Sequence, residues 1–385
     1  MIIEAAKRTE SVQEYYFSRK NREIAALNAD GRSEPIINLG IGAPDGMPPQ
    51  DAIDALCENA KLRGVHSYQS YTGIPELRRA FASWYKRYYG VTLDPASQIQ
   101  PLTGSKEGIL IIDLAFLNKG DKVLIPDPGY PTYSSAAKLC EAEILTYELK
   151  EENSWQPDFE SLGEMELEGV KIMWTNYPGM PTGAPPRRET YERLVEFGLK
   201  NNILICNDNP YSFILCSEQL SILSVPEAME CCLELNSLSK AHNMSGWRLG
   251  MLAANSEIIS QILKVKTQMD SGIFRPLQYA AIKALEQGPE WFEALNAEYR
   301  KRRTAACRIM DAIGAKYSPD GTGLFVWGKI EGDAEELSDK ILHEAGVFIT
   351  PGFIFGNKGK NYMRISLCAD VEVFEKALER IKKAL

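Results

Sequence analysis

The sequence predicts an α/β protein, with a mainly parallel sheet covered by helices and a second, smaller α+β domain. Three observations carry this prediction. Short apolar and β-branched runs alternate with helical patterns through the middle of the chain, as they do in a parallel sheet. Several of these runs turn polar at the same, carboxyl end. After about residue 275 the pattern shifts to long helices and separated strands.

The elements follow in order. "IPELRRAFASWYKRYYG" (74–90) reads as a helix, with Pro75 in its first turn and Gly90 just past its end. "LTGSKEG" (102–108) leads from a strand into a second helix that the pattern carries to Gly120. Strands are predicted at "KVLIPD" (122–127), "EILTYEL" (143–149), "VKIMWTN" (170–176), "ILICND" (203–208) and "CLELNSL" (232–238). A long helix covers 289–314, and "GLFVWGKI", "VFITPG" and "YMRISLC" read as strands of the smaller domain. No Gly/Ser linker or repeat separates the parts, so the division is 48–275 for the large domain, with 1–47 and 276–385 forming an N-terminal arm and small domain packed across a cleft.

Composition narrows the function. The 385 residues are 44% hydrophobic and 25% charged, ordinary for a globular protein of two or three domains. A formal net charge of -9 argues against binding nucleic acid, which needs a basic face. The longest apolar run, "GILIIDLAFL" (108–117), contains Asp113 and is too short to span a membrane. The amino terminus lacks the apolar core of a signal peptide, so a cytoplasmic location is expected. Eight cysteines without a CxxC pair, mostly in apolar surroundings, are expected to be buried free thiols. The three histidines, His66, His242 and His343, fit no metal-ligand spacing and weaken a hydrolase reading.

In a parallel sheet, ligands gather beyond the carboxyl ends of the strands, and the informative residues fall there. Asp208 closes "ILICND" and Tyr211 follows in "NPY"; "VKIMWTN" ends in "YPGMPTG", and "KVLIPD" ends in "PGYPTY". Lys240 lies among Ser237, Ser239, Asn243, Ser245 and Gly246, with Arg248 eight residues later. Taken singly, Asp208 reads as a cap or turn residue, Lys240 as a solvated lysine and Ser105 as a helix cap with Glu107 in the first turn. Taken together they make one site built from several loops, with a phosphate favoured at the start of the "SKEG" helix. No GxxxxGK[ST] loop or GxGxxG fingerprint is present.

As a set, "TGSKEG", "YPGMPTG", "NDNPY", "SLSKAHNMSGWRLG" and "YMRIS" resemble the class I/II aminotransferases, the pyridoxal-phosphate enzymes of the aspartate aminotransferase fold (fold type I). The resemblance runs from "INLGIGAPD" (37–45) to the last strand. It implies a seven-stranded, mainly parallel large-domain sheet, pyridoxal 5'-phosphate as cofactor and amino acid and 2-oxo acid substrates. Lys240 then matches the lysine that forms a Schiff base with the cofactor aldehyde. Asp208 matches the carboxylate paired with the pyridine nitrogen, Tyr211 the phenol at the 3-oxygen, and Tyr130 the ring stacked on the pyridine. Gly104, Ser105, Lys106, Ser237 and Arg248 would hold the phosphate. Tyr68 resembles the tyrosine that reaches the neighbouring subunit's phosphate, implying a homodimer with shared sites. Arg364, helped by backbone at Gly42, would grip the substrate carboxylate.

One position departs from the family. Met180 stands where Asn-Pro-Thr-Gly usually begins, and a thioether cannot donate to the 3-oxygen, leaving Tyr211 alone or with Asn176. The expected reaction is a ping-pong transamination. Glutamate/2-oxoglutarate is the default pair, and alanine and LL-diaminopimelate are further candidate donors. A β-lyase or decarboxylase would share the same cofactor residues. A non-catalytic binding protein on the same fold is the other alternative, and the chain has neither an added basic domain nor an incomplete residue set to favour it.

Overall fold

The computed structural model describes residues 2–32 and 34–385. The large sheet has seven strands, after a short β1 (Ile37–Asn38) that belongs elsewhere. They are β2 (Ile99–Leu102), β3 (Lys122–Asp127), β4 (Glu143–Glu148), β5 (Val170–Asn176), β6 (Leu204–Asp208), β7 (Cys232–Ser237) and β8 (Gly250–Ala253). Their spatial order is β2-β8-β7-β6-β5-β3-β4, parallel throughout except for β8, which runs antiparallel to both neighbours. The five predicted strands are therefore present, and the sheet is mainly parallel as expected. The short β8 was not among the predicted strands.

The inner runs are largely apolar because both faces of the sheet are covered, while β4 lies at the edge and is partly exposed. Val123 and Ile125 face one core with Ile109, Ile112, Tyr133 and Trp174, while Leu124 faces the other with Met173, Tyr191 and Leu194. α1 (Tyr16–Ala29) precedes the large domain, followed by α2 (Gln50–Asn59), α3 (Pro75–Tyr89), α4 (Ser105–Phe116) and α5 (Pro131–Leu139). α3 ends where the sequence places it, on Gly90 at φ 69°. α4 stops at Phe116, short of the expected Gly120: the Asp121 carboxylate takes the Asn118 N–H (2.7 Å), and Gly120, at φ 84°, turns the chain into β3. The helix Arg275–Leu285 packs on α2 and α3, and Gln278 accepts from the Ile74 N–H (2.7 Å), so its contacts lie with the large domain although it begins at the predicted division.

The smaller domain is built on β9 (Lys316–Tyr317), β10 (Phe325–Lys329), β11 (Val347–Phe348), β12 (Thr350–Pro351) and β13 (Tyr362–Ser366). Four of them form the antiparallel order β12-β13-β10-β9, while β11 pairs parallel with β1 and ties the N-terminal arm to this domain. Behind them pack the 24-residue helix Pro289–Ala312 and the helix Val371–Ala384. Among the contacts that join the domains are two seams. At one, Asp127 accepts from the Asn357 and Lys358 N–H groups (3.1 and 3.0 Å) and Gly129 N–H donates to Phe355 O (2.8 Å). At the other, Thr322 N–H donates to Gly183 O (2.8 Å).

All eight cysteines are free, but the expected burial holds only for Cys206, Cys231 and Cys232. Cys57 is exposed on α2 and Cys307 half-buried on a helix, while Cys140, Cys216 and Cys368 are half-buried in turns and loops, where apolar neighbours in sequence do not enforce burial. Among the described residues no helix is long and apolar enough to cross a membrane.

Candidate active site

The carboxyl ends of β3, β5, β6 and β7 open into one cavity of about 640 Å³. Parallel register sets its floor. Asn176 ends β5 opposite Asp208 at the end of β6, and Asp208 lies opposite Leu235 in β7. Of the residues singled out in the sequence, Ser105, Lys106, Tyr130, Asn176, Asp208, Tyr211, Ser237, Lys240, Arg248, Arg364 and Gly42 all line this cavity, with Gly104 beside it at the start of α4.

Asp208 is buried, and Tyr133 donates to its Oδ2 (3.0 Å) while Oδ1 has no partner among the described residues. Burial pushes its carboxyl up to about 7, only partly opposed by the Tyr133 hydrogen bond and the Lys240 charge. Lys240 lies half-buried after β7, and burial lowers its ammonium below the ordinary lysine range. Its Nζ donates to Gly42 O (2.5 Å). Gly42 thus presents its carbonyl to the lysine, and of its backbone groups only the N–H could donate to a substrate carboxylate.

The phosphate cup has a definite shape. Gly104, at φ 84°, caps α4, so Ser105 is the first helical residue and not the cap that a simple Ser-Glu reading would make it. A Cβ on Gly104 would fall 2.2 Å from Arg248 Nη2, which places the guanidinium against the helix start. Arg248 itself has φ 55° and is braced on Ser245 O (2.9 Å). Ser237 Oγ donates to Ser239 Oγ (2.9 Å) beneath this cup. Lys106 departs from the cup: its ammonium stands over the Tyr15 ring, 4.3 Å from the centroid.

Arg364 is buried on β13 and its Nη2 donates to Gly40 O (2.6 Å). The guanidinium lies over the Phe325 and Phe355 rings at 4.0 and 4.6 Å, and burial brings its pKa down to about 10. Met180 is its neighbour, with Sδ 3.3 Å from Nη1. Asn176 is largely committed: its Nδ2 donates to Asp208 O (2.6 Å) and its Oδ1 accepts from Met180 N–H (2.8 Å). Only its second amide hydrogen remains for another acceptor.

Tyr68 is not brought to this cavity. It is 90% exposed, on a loop held by Gln69 N–H to Ser271 O (3.3 Å) and by Arg275 Nε to Gln69 Oε1 (2.8 Å). The segment "DSGIFRP" (270–276) supports that loop and lines none of the cavity of its own chain. Sequence reasoning missed Tyr15 and Phe17, which close the cavity from the start of α1, and Tyr133, one turn after Tyr130 on α5. The spacing of Tyr130 and Tyr133 at i and i+3 was the available signal for the latter.

A buried carboxylate with an open oxygen, an amine shifted toward neutrality and a helix start lined by an arginine suit a cofactor with a basic ring, an aldehyde and a phosphate. The site therefore defines a pyridoxal-phosphate enzyme. The aminotransferase class I and II family matches residues 34–381, and the chain belongs to it. It is similar to the LL-diaminopimelate aminotransferase of Aquifex aeolicus (39% identical, spanning 99% of this chain and 99% of that protein). Among solved structures it resembles apo-BacF from Bacillus subtilis (33% identical, TM-score 0.95, covering 100% of this chain and 99% of that one). It also resembles a mutant of Thermus thermophilus aspartate aminotransferase (25% identical, TM-score 0.91, with 100% of each chain covered). The protein is a pyridoxal-phosphate-dependent aminotransferase acting on an amino acid and a 2-oxo acid.

Proposed function

We propose that the chain exchanges the amino group of an L-amino acid with a 2-oxo acid in two half-reactions of the ping-pong type, with glutamate and 2-oxoglutarate as one pair. The observation that carries this reading is the convergence of Lys240, Asp208 and Arg364 on one cavity. The relatives named LL-diaminopimelate aminotransferase make that amino acid a candidate partner substrate, with alanine as another.

When bound, pyridoxal phosphate supplies an aldehyde that takes up the amino group and a ring that absorbs the electrons of the breaking Cα–H bond. The protein's residues supply the rest. Gly104, Ser105, Ser237 and Arg248 would hold the phosphate, with backbone N–H groups at the helix start and a guanidinium as donors. Asp208, with its Oδ1 open, would hold the ring nitrogen of such a cofactor as its carboxylate and favour the protonated nitrogen. Tyr211 and Tyr130 line the same cavity, where Tyr211 would offer its phenol to the cofactor's 3-oxygen and Tyr130 its ring to the pyridine. Arg364 orients the substrate by its α-carboxylate. Lys240 Nζ carries the proton from the substrate carbon, a task that its lowered basicity suits near neutral pH.

Tyr68 supports a homodimer in which each subunit's loop completes the other's phosphate cup, since the loop is braced while the ring stands exposed. Eight free thiols favour a reducing compartment and hence the cytoplasm. The test is the visible spectrum of the protein with pyridoxal phosphate, titrated with single amino acids. We expect a visible band that one amino acid bleaches and a 2-oxo acid restores, with Lys240→Ala losing both band and turnover. Substantial turnover by Lys240→Ala, or a wild type that stays colourless with excess cofactor, would sink the assignment.

A further inference from the structure

We infer that Cys231 and Cys232 form a vicinal-dithiol site, remote from the active site, for a soft centre that bonds both sulfurs at once, of the trivalent arylarsenical class. Of the eight cysteines these two alone are adjacent in sequence, and their Sγ atoms stand 3.7 Å apart. Cys231 ends the short helix Ala228–Cys231 and Cys232 opens β7. Within a strand, successive side chains point to opposite faces; the change from helix to strand between these residues brings the two thiols together instead.

The gap selects the ligand. Two thiolate bonds of the length seen at zinc, about 2.3 Å, meeting at a near-tetrahedral angle span roughly 3.8 Å. A disulfide fits less well, because adjacent Cα atoms are about 3.8 Å apart and disulfides usually need about 4.4–6.8 Å. A metal ion with three or four protein ligands fits less well too: among the described residues no group of three His, Cys, Asp or Glu side chains is gathered to hold one. A trivalent arylarsenical needs only two sulfurs and carries its own third substituent.

The surroundings give it a way in. Cys232 is fully buried and Cys231 is 8% exposed. Cys231 Sγ lies 3.6 Å from Val195 O on the helix Arg188–Asn201, and a Cβ on Gly198 would come within 3.1 Å of that sulfur. Val195 and Leu199 also line an open groove of about 500 Å³ with Val225 and Pro226, an apolar bed for an aryl group beside the first sulfur. A hydrogen bond from Cys232 holds the Cys231 thiol below its usual range, so Cys231 attacks first. With phenylarsine oxide the step needs no oxidant: the arsenic–oxygen bond breaks, two S–As bonds form, and the two thiol protons leave with the oxygen as water. Cys232 precedes Ser237 by five residues of β7, roughly 16 Å of strand, so the filled site leaves the cofactor end in place.

The experiment gives the folded protein, with pyridoxal phosphate present, one equivalent of phenylarsine oxide. Native mass spectrometry, peptide mapping and circular dichroism read the outcome. We expect one phenylarsenic group per chain, on the peptide that contains Cys231 and Cys232, with the dichroism unchanged. A small dithiol should strip it at concentrations where a monothiol does not. Cys231→Ser and Cys232→Ala should each weaken uptake by about 100-fold or more, since the second bond closes within one molecule. A wild type that takes up no arsenical overturns the inference, as does an adduct mapped to other cysteines or variants that bind as tightly as wild type. Equal release by a monothiol shows a single sulfur bond and overturns it, and so does an adduct that forms only as the dichroism collapses. The mapping locates the adduct in the wild type, so the test stands even where a variant fails to fold.

Discussion

Replacing Asp208 by asparagine should make the cofactor-free protein more stable at alkaline pH while ending its catalysis. In the cofactor-free chain the carboxylate is buried, with one hydrogen bond from Tyr133 and nothing at Oδ1. Its pKa rises on folding from 3.8 to about 7, so the folded state holds the proton more tightly than the unfolded chain. For a group raised in this way, stability falls as pH climbs above the unfolded value and levels off above the folded one. Linkage makes its ionisation cost about 4 kcal/mol at pH 8 and about 2 kcal/mol at pH 5. Asparagine removes that cost but leaves one amide group unpaired, at about 1–3 kcal/mol. The unpaired amide is independent of pH and the charge is not. The stability of Asp208→Asn relative to wild type should therefore grow by about 2–3 kcal/mol between pH 5 and pH 8, or roughly 3 °C in Tm for a chain of this length. Thermal melts of both cofactor-free proteins at the two pH values measure it, and titrations common to both cancel in the difference. Pyridoxal phosphate at pH 8 should then raise the wild-type Tm more than the variant's. A gap that stays flat or narrows with rising pH would refute the picture of Asp208 as a carboxylate waiting for a cation.

Two further outcomes test the substrate side and the domain seam. Arg364→Ala removes the guanidinium held between Gly40 O and two phenylalanine rings, and kcat/KM for the amino acid should fall by the equivalent of roughly 2–5 kcal/mol, mainly through KM. An unchanged KM would place the carboxylate site elsewhere. Gly356→Ala puts a Cβ 2.1 Å from Asp127 Oδ1 at a backbone φ of 137°. Because Asp127 is fixed by the Asn357 and Lys358 N–H groups, the variant should lose about 1–3 kcal/mol of stability, and a Tm within 1 °C of wild type would show that the seam yields.

How far the sequence carries depends on the kind of feature. Strands β3, β5, β6 and β7 are legible because a strand buried on both faces must be largely apolar, and the change to Asp208 or to Ser237 and Lys240 marks where the chain leaves the sheet. β8 is only four residues long and follows the Lys240 loop directly, so no periodicity can reveal it. Asp208, Lys240, Tyr211 and Arg248 are legible because each stands in a short polar stretch after such a strand, and Arg364 because the motif register singles it out.

Chain order and residue type by themselves determined the mainly parallel sheet, the end of it that bears the site, and the chemistry gathered there. Tertiary structure alone decided which groups meet across long separations. It set Tyr133 on Asp208 over 75 residues, Lys240 on Gly42 over 198, and Arg364 on Gly40 over 324. It also turned Lys106 from the cup toward Tyr15 and left Tyr68 outside the cavity of its own chain. The physical reason is that local sequence governs backbone conformation and burial pattern over a few residues. The direction of a long side chain is settled by whichever partners the folded chain brings within its reach.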